Sequence, residues 1–326
     1  MSASLFAPTT LGPLSLGNRL VMAPMTRNRA PGNVPNALMA RYYAERADVG
    51  LIVTEGTSPS PNGLGYPSIP GAYSTEQGAG WKLVADAVHK AGSKIFVQLM
   101  HCGRVAHPLN LPAGAEVVSS SAVAAAGQMH TPEGPKDHPA PRALRTDELP
   151  AVIAEFVASA KNVIAAGCDG VELHAANGYL LEQFLNPACN QRTDSYGGST
   201  ANRVRFVVEV AAAVAKAIGG ERVGIRLSPY GTNGGMTSSY DGIDAQYVLL
   251  TEQLAATGIQ YLHVVDHSKM GAPEVPASLK RAMRRAWPRS FILAGGYDKA
   301  SASAAIVEGH ADLIAYHGSS LPECAD

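Results

Sequence analysis

The sequence predicts a closed (β/α)8 barrel, and three observations carry that prediction. Short apolar runs rich in β-branched residues recur eight times along the 326 residues, and all but the last are followed by sequence of helical period. Strand–helix alternation sustained in this way reads as a parallel sheet with helical crossovers. Eight such units in about 300 residues is the arithmetic of a closed barrel. A doubly wound sheet would usually carry a glycine fingerprint after its first strand, and the chain instead reads Met22-Ala23-Pro24-Met25-Thr26 there.

The predicted strands are Arg19–Ala23, Gly50–Thr54, Lys94–Leu99, Asp169–His174, Arg222–Leu227, Gln260–Val265, Ser290–Ala294 and Asp312–Tyr316. The predicted helices are Pro35–Asp48, Thr75–Ala91, Asp147–Ala166, Ala201–Ile218, Asp244–Thr257, Pro276–Ala286 and Lys299–Glu308. Asp244 and Asp298 stand where N-caps are expected, and Gly92, Gly167, Gly219 and Gly258 follow helices where a left-handed residue ends them. Two stretches break the rhythm. Met100 to Thr146 is rich in proline and has no sustained helical period, so it reads as a lid inserted over the barrel mouth after the third strand. Only His317 to Asp326 follow the eighth strand, too little for an eighth helix, so that helix is expected to be missing or truncated. The whole of 1–326 reads as one barrel domain with 100–146 as its lid.

Composition sets the outer bounds. With 46% hydrophobic residues and 16% charged ones, the chain has ample core material and is no disordered segment. Lys+Arg 26 against Asp+Glu 27 leaves a net charge of −1, so no polyanion-binding surface and no nucleic-acid partner is expected. The cysteines at 102, 168, 189 and 324 form no C-x-x-C pair, which argues against a zinc ribbon or dithiol motif and fits a reducing compartment. The amino terminus lacks the pattern of a secretory signal, and the longest apolar stretch, ending at Ile218, is broken by Glu209 and Lys216 at helical spacing. No membrane association is expected, and the location predicted is cytoplasmic.

In a barrel, function gathers at the carboxyl ends of the strands. In strand order these positions hold Pro24-Met25-Thr26, Glu55-Gly56, Gln98 with His101, His174 with Asn177 and Tyr179, Arg226, His263 with Asp266, Gly295-Gly296, and His317-Gly318. The ring offers hydrogen-bond donors and a cation, but no carboxylate cluster, three-histidine set or strand-end lysine. Glycosidase, zinc-hydrolase and Schiff-base aldolase chemistry therefore lose ground, and no metal is expected. Gly295-Gly296 lies where barrels commonly bind phosphate, because backbone N–H groups can approach an anion where no Cβ intervenes; an ordinary glycine turn is equally consistent with the spacing. His174 and Asn177, three residues apart, would point the same way if the segment turned helically, and paired neutral donors suit an oxygen that gains negative charge during reaction. Tyr179 follows as a possible proton donor.

Five segments together resemble the old yellow enzyme family of FMN-dependent ene-reductases. They are N-R-L-V-M-A-P-M-T-R (Asn18 to Arg27), Q-L-M-H-C-G-R (Gln98 to Arg104), V-E-L-H-A-A-N-G-Y and its continuation to Ser199, V-G-I-R-L-S-P (Val223 to Pro229) and L-A-G-G-Y (Leu293 to Tyr297). They occur in order at strand ends and span the chain to about Tyr316. The resemblance implies bound FMN, with NAD(P)H as hydride donor. It implies that Pro24, Met25 and Thr26 lie against the flavin, with Thr26 on its O4, and that Gly56 packs near the ring. It gives Gln98 and Arg226 the pyrimidine end, and adds Gly295, Gly296 and Gly318 as cofactor-binding positions. His174 and Asn177 match the clamp on the substrate oxygen, Tyr179 the proton donor, and Met100 a pocket-wall position where many relatives carry tryptophan. Threonine at 26 points to the branch that does not carry cysteine there. Arg192 and Asp194 look like loop-fixing ion-pair partners, and for His263 and His267 a solvated or packing role is at least as good a reading as a pocket one.

The implied activity is ping-pong. Hydride passes from NAD(P)H to the flavin and then to the β-carbon of an activated alkene (an enal, enone, maleimide or nitroalkene), while Tyr179 protonates the α-carbon. Relatives include monomers and homodimers. The family usually places an FMN-phosphate arginine after the eighth strand, whereas this chain reads His317-Gly318-Ser319-Ser320 and has no arginine beyond Arg289. Either Ser319 and Ser320 replace that contact or phosphate binding is weaker, by roughly tenfold to a hundredfold for one charge-assisted hydrogen bond. Two other readings stay open from sequence: another FMN barrel working in the dehydrogenase direction, and a non-redox phosphate-binding barrel lyase or isomerase.

Overall fold

The apolar runs pair edge to edge until the last meets the first. The computed structural model describes residues 4–317. In chain order it contains a hairpin of β1 (Thr9–Leu11) and β2 (Leu14–Leu16), then β3 (Leu20–Met22), α1 (Ala37–Ala44), β4 (Leu51–Val53), α2 (Thr75–Lys90) and β5 (Lys94–Leu99). Four short strands follow: β6 (Val118–Ser119), β7 (Gln128–Thr131), β8 (Gly134–Asp137) and β9 (Arg142–Ala143). The rest runs α3 (Leu149–Ala165), β10 (Gly170–Ala175), α4 (Leu180–Leu185), α5 (Thr200–Ile218), β11 (Val223–Leu227), α6 (Ile243–Ala256), β12 (Tyr261–Val265), α7 (Ala277–Ala286), β13 (Ser290–Ala294), α8 (Lys299–Val307) and β14 (Leu313–Tyr316). All eight predicted strands are present, every barrel pair is parallel, and β14 closes on β3 with Ala315 opposite Val21. The protein is a (β/α)8 barrel.

Two cores follow from the alternation of side chains along each strand. Outward-facing residues meet the helices, where Trp81, Phe156, Phe206, Leu250 and Met283 are fully or almost fully buried. Inward-facing residues fill the barrel itself: Val21, Leu51, Phe96, Tyr261, Ile292 and Leu313, joined from below by Leu11 and Leu16 of the β1–β2 hairpin. That hairpin closes the amino-terminal end of the barrel, and its three-residue strands are too short to show a period in the sequence.

Helix starts are set by side-chain caps. Asn36 accepts from the N–H groups of Leu38 and Met39, Ser74 forms a capping box with Gln77, and Asp298 forms one with Ser301. The cap expected of Asp244 is corrected: Gly242 occupies that position at φ +76°, and Asp244 lies in the first turn, where it accepts from Tyr230 OH at 2.7 Å. The 100–146 segment carries an antiparallel β7–β8 hairpin and a β6–β9 pair. The sequence-based expectations for Gly318, for Ser319 and Ser320 and for the eighth helix fall outside the described residues.

Candidate active site

The upper barrel interior is polar on one wall and small on the other. On β5, β10, β11 and β12 the inward positions are Gln98, Glu172, His174, Arg226 and His263, all buried. Across from them β3, β13 and β14 present Ala23, Ala294 and Ala315, which leave room above the apolar floor. Strand register brings the polar groups together, since Glu172 lies opposite Gln98, His174 opposite Arg226, and Arg226 opposite His263.

Glu172 is the hub of this wall. Its Oε1 accepts from Gln98 Nε2 at 2.8 Å, and its Oε2 accepts from Tyr261 OH at 3.1 Å and lies 2.8 Å from His263 Nδ1. Burial alone would raise the Glu172 carboxyl, but His263 and Arg226 beside it hold it below its ordinary value. Burial pushes His263 down, so the pair is a carboxylate and a neutral imidazole that donates to it, with the positive charge on Arg226. Arg226 keeps Nε and Nη2 buried without a partner, and His263 Nε2 is likewise unpartnered. Buried polar atoms left in this state are costly unless a ligand pairs with them, accepting from the Arg226 nitrogens and donating to His263 Nε2.

At the exit of β10 the chain bends sharply. His174 ends the inner face, Asn177 sits at φ +59° and Gly178 at φ +82°. The segment does not turn as a right-handed helix between His174 and Asn177: the strand end and a left-handed turn place them. A Cβ on Gly178 would stand 2.4 Å from the Asn233 carbonyl oxygen, so only glycine fits this close approach. The turn is held by Glu182 of α4, which is buried. Its Oε2 accepts the Gly178 N–H at 2.5 Å and its Oε1 accepts from Ser228 Oγ at 2.8 Å. Ser228 Oγ in turn accepts the Asn177 N–H at 2.9 Å. Gln183 continues the anchor, donating to the carbonyls of Cys102 and Gly178 and accepting from the Arg104 N–H and Ser119 Oγ.

Three groups face the space above this turn. His174 Nδ1 and Asn177 Oδ1 are buried without partners. Burial, followed by Arg226 and the other histidines, drives His174 well below its ordinary pKa, so its imidazole is neutral. Tyr179 packs edge-on against His174 at 4.8 Å between ring centroids and donates to Tyr66 OH at 3.1 Å. Burial raises its phenol well above 10, so it keeps its proton. Val105, Val117, Ala125 and Met129 of the inserted segment form one apolar cluster with Tyr179, which seats that segment on the site.

The remaining predicted residues surround the same mouth. Pro24 is buried, Met25 half-buried and Thr26 exposed. Their segment is tied down by Glu55, whose Oε2 accepts the Arg27 N–H at 3.0 Å and whose Oε1 accepts from Tyr43 OH at 3.2 Å. Gly56 packs against Met100, whose sulfur would stand 2.3 Å from a Cβ there, so a larger residue would have to push that flexible side chain aside. Arg192 and Asp194 do pair, and Arg192 also donates to the carbonyls of Ser120 and Leu144. Gly295 and Gly296 close the exit of β13 at φ +105° and +75°. Among the described residues no cluster of His, Cys, Asp or Glu is suited to a metal, and no helix is long and apolar enough to cross a membrane. A cavity of about 280 Å³ lies outside the barrel wall between α7 and α8; His174, Asn177, Tyr179 and Arg226 do not line it.

Sequence reasoning passed over Glu172, Tyr261, Glu182 and Tyr66. Glu172 and Tyr261 had a usable signal: each stands two residues before a predicted inner-face histidine, so period-two alternation puts it on the same face.

The profile of the NADH:flavin oxidoreductase / NADH oxidase family matches residues 4–323. The chain belongs to that family. Among solved structures, morphinone reductase superposes with a TM-score of 0.92 at 40% identity, covering 97% of this chain and 86% of that one. The old yellow enzyme homologue from Zymomonas mobilis gives 0.90 at 37% identity, covering 96% and 88%. Among curated proteins, chanoclavine-I aldehyde reductase from Penicillium roqueforti is 44% identical over 98% of this chain and 85% of its own length. 12-Oxophytodienoate reductase 1 from Oryza sativa subsp. japonica is 40% identical over 96% and 82%. Family membership makes the protein an FMN-dependent oxidoreductase of the alkene-reductase type that draws its electrons from a reduced nicotinamide. The residues present fit that cofactor, because the orphaned donors of Arg226 and the small wall of Ala23, Ala294 and Ala315 suit a flat ring edged with acceptors.

Proposed function

We propose that this chain reduces small alkenes activated by a carbonyl, imide or nitro group, and that the whole of it acts as one FMN-binding barrel with 100–146 as its lid. The observation that carries the reading is the β10 exit, where unpartnered His174 and Asn177 stand beside a phenol that burial keeps protonated. Arg226, Gln98, Thr26 and the Pro24–Met25 backbone would hold the flavin ring, with Gly56 packed near it and Gly295, Gly296 and Gly318 toward its phosphate. The chemistry that bound FMN would supply is hydride transfer, from the nicotinamide to the electron-poor carbon of the alkene. Every other step falls to the chain's own side chains.

His174 donates to the activating oxygen of the substrate through its ring N–H, and Asn177 through its amide Nδ2. A neutral imidazole suits this role, since an imidazolium would be costly to bury beside Arg226. The turn that carries them is fixed before the reaction by Ser228 and Glu182, so the two donors stabilise the oxygen's developing charge with little reorganisation. Tyr179 delivers its proton to the α-carbon, and half-buried Tyr66, 3.1 Å away, provides the route for its replacement. Met100 forms part of the pocket wall, a flexible one that adapts to different alkenes. Val105, Val117, Ala125 and Met129 keep water from the proton donor.

Anaerobic stopped-flow measurement tests the reading. Addition of NADPH or NADH is expected to bleach the flavin band, and 2-cyclohexenone or N-ethylmaleimide to restore it. A flavin that does not bleach would overturn the redox reading, and one that bleaches but is reoxidised by neither alkene would overturn the substrate class.

A further inference from the structure

At the carboxyl ends of β12 and β13 the backbone is shaped by two glycines with distinct reasons for being there. The Asp266 N–H donates to the Ala294 carbonyl at 2.9 Å, drawing the two strand exits together. A Cβ on Gly295 would stand 2.0 Å from the Asp266 carbonyl oxygen, so the approach itself demands glycine. Gly296 is different. A Cβ there would meet a side chain, 2.7 Å from Cγ and 3.0 Å from Cε of Lys269. The stem of Lys269 therefore lies across the turn, and its ammonium, one bond beyond Cε, is held within reach of it.

Two further facts make the corner a place for an anion. Among the described residues the Gly296 N–H has no acceptor, and the exposed Lys269 ammonium has neither ion pair nor hydrogen bond. The neighbouring carboxylate does not compete for it. Asp266 is already engaged by Lys280 Nζ at 2.7 Å and by the N–H groups of Ser268 and Val275. A free backbone donor beside a free ammonium is the donor set of a phosphate.

We infer that Lys269, lying across the Gly295–Gly296 turn, supplies the positive charge that binds the phosphate of FMN. The inference rests on the assignment of that turn to the cofactor made above. It places the cation on the loop after β12, where it acts on the phosphate and leaves the ring contacts of Arg226 and Gln98 unchanged.

The test is binding to the apoprotein, followed by the quenching of flavin fluorescence. The wild-type protein, Lys269→Ala and Lys269→Arg are each titrated with FMN and with riboflavin, which has the same ring but no phosphate. The wild type is expected to prefer FMN. Lys269→Ala should weaken FMN about tenfold to a hundredfold while leaving riboflavin unchanged, and Lys269→Arg should retain most of the preference. Because the side chain is exposed, the substitution should not disturb folding. A wild type that prefers FMN, with an unchanged FMN-to-riboflavin ratio in Lys269→Ala, would overturn the role of the lysine alone. A wild type that binds both flavins equally would overturn the lysine and the turn together.

Discussion

The two halves of the barrel interior follow the same alternation of side chains along their strands, yet they hold opposite chemistry. Below, Val21, Leu51, Phe96 and Leu313 interdigitate with Leu11 and Leu16, and no member of this group exceeds 2% exposure. Above, toward the carboxyl ends of β5, β10, β11 and β12, Gln98, Glu172, His174, Arg226 and His263 are as deeply buried but leave several polar atoms unpaired. The lower half is closed and satisfied, so its residues contribute to stability. The upper half is buried and unsatisfied, which is costly to the free protein and is what makes it ready for ligands. Barrel enzymes keep these tasks at opposite ends of the strands. Substitutions in the two halves should therefore separate activity from stability.

The largest separation is expected at Tyr179. Replacing it with phenylalanine removes one hydroxyl that lies 3.1 Å from Tyr66 OH and leaves the ring packed against His174. Reoxidation of the flavin by 2-cyclohexenone should slow by about 10²–10⁴, the usual contribution of a positioned acid. Flavin reduction by NAD(P)H and thermal stability should hardly change. Equal slowing of both half-reactions would show that the phenol supports the site as a whole and is not the proton donor.

The converse substitution is Leu51→Ala in the floor. Leu51 is fully buried at the start of β4, opposite Val21 on β3 and Lys94 on β5, in the apolar cluster and below the level of Gln98. Removing its side-chain carbons should cost about 2–5 kcal/mol of stability, seen as a lower denaturation midpoint with an unchanged denaturant slope. Half-reaction rates of the still-folded enzyme should stay within a few-fold of wild type. A larger loss of rate than of stability would mean that the two halves are coupled through the strands.

The strands and the long helices were legible because each announces itself locally, by a β-branched run or by a cap and a glycine stop. The β1–β2 hairpin and α4 were not: the former has only three residues per strand, and all six residues of the latter are buried, so neither shows an amphipathic period. The same distinction runs through the site. His174, Asn177, Tyr179 and Arg226 stand at strand ends and could be found by position. Tyr66 meets Tyr179 across 113 residues, and Glu172 meets His263 across 91, through barrel closure and register that no local pattern reveals. Glu182 lay inside a recognised motif, but its part depends on where Ser228 arrives from another strand.

Glu182 gives the finest test of the comparison, because it supports the reactive upper half without belonging to it. Its carboxyl is connected to the Asn177 N–H through Ser228, so it is a positioning residue. Burial raises it from 4.5 to about 7, while the Gly178 N–H, Ser228 and Tyr247 oppose the shift. The surrounding groups are Tyr247 on α6 and Tyr240 before it, both phenols held protonated; Arg203 on α5 is engaged by Gln246 and the Tyr240 ring. Above pH 7 the carboxylate accepts from Gly178 and Ser228 at once. Below it, the added proton forces Ser228 to reorient and loosens Asn177. The apparent KM for the alkene should therefore rise as pH falls through about 7, with a smaller change in kcat. Stability should follow the opposite sign: a carboxyl raised by folding favours the fold below pH 4.5, and that contribution is lost as pH rises through 7. Glu182→Gln keeps the size and one acceptor, so it should raise KM by roughly tenfold at pH 8, as expected for losing one hydrogen bond to a charged group. It should also flatten both pH dependences. A variant with wild-type pH profiles would show that the Glu182 carboxyl only fills space beneath the turn.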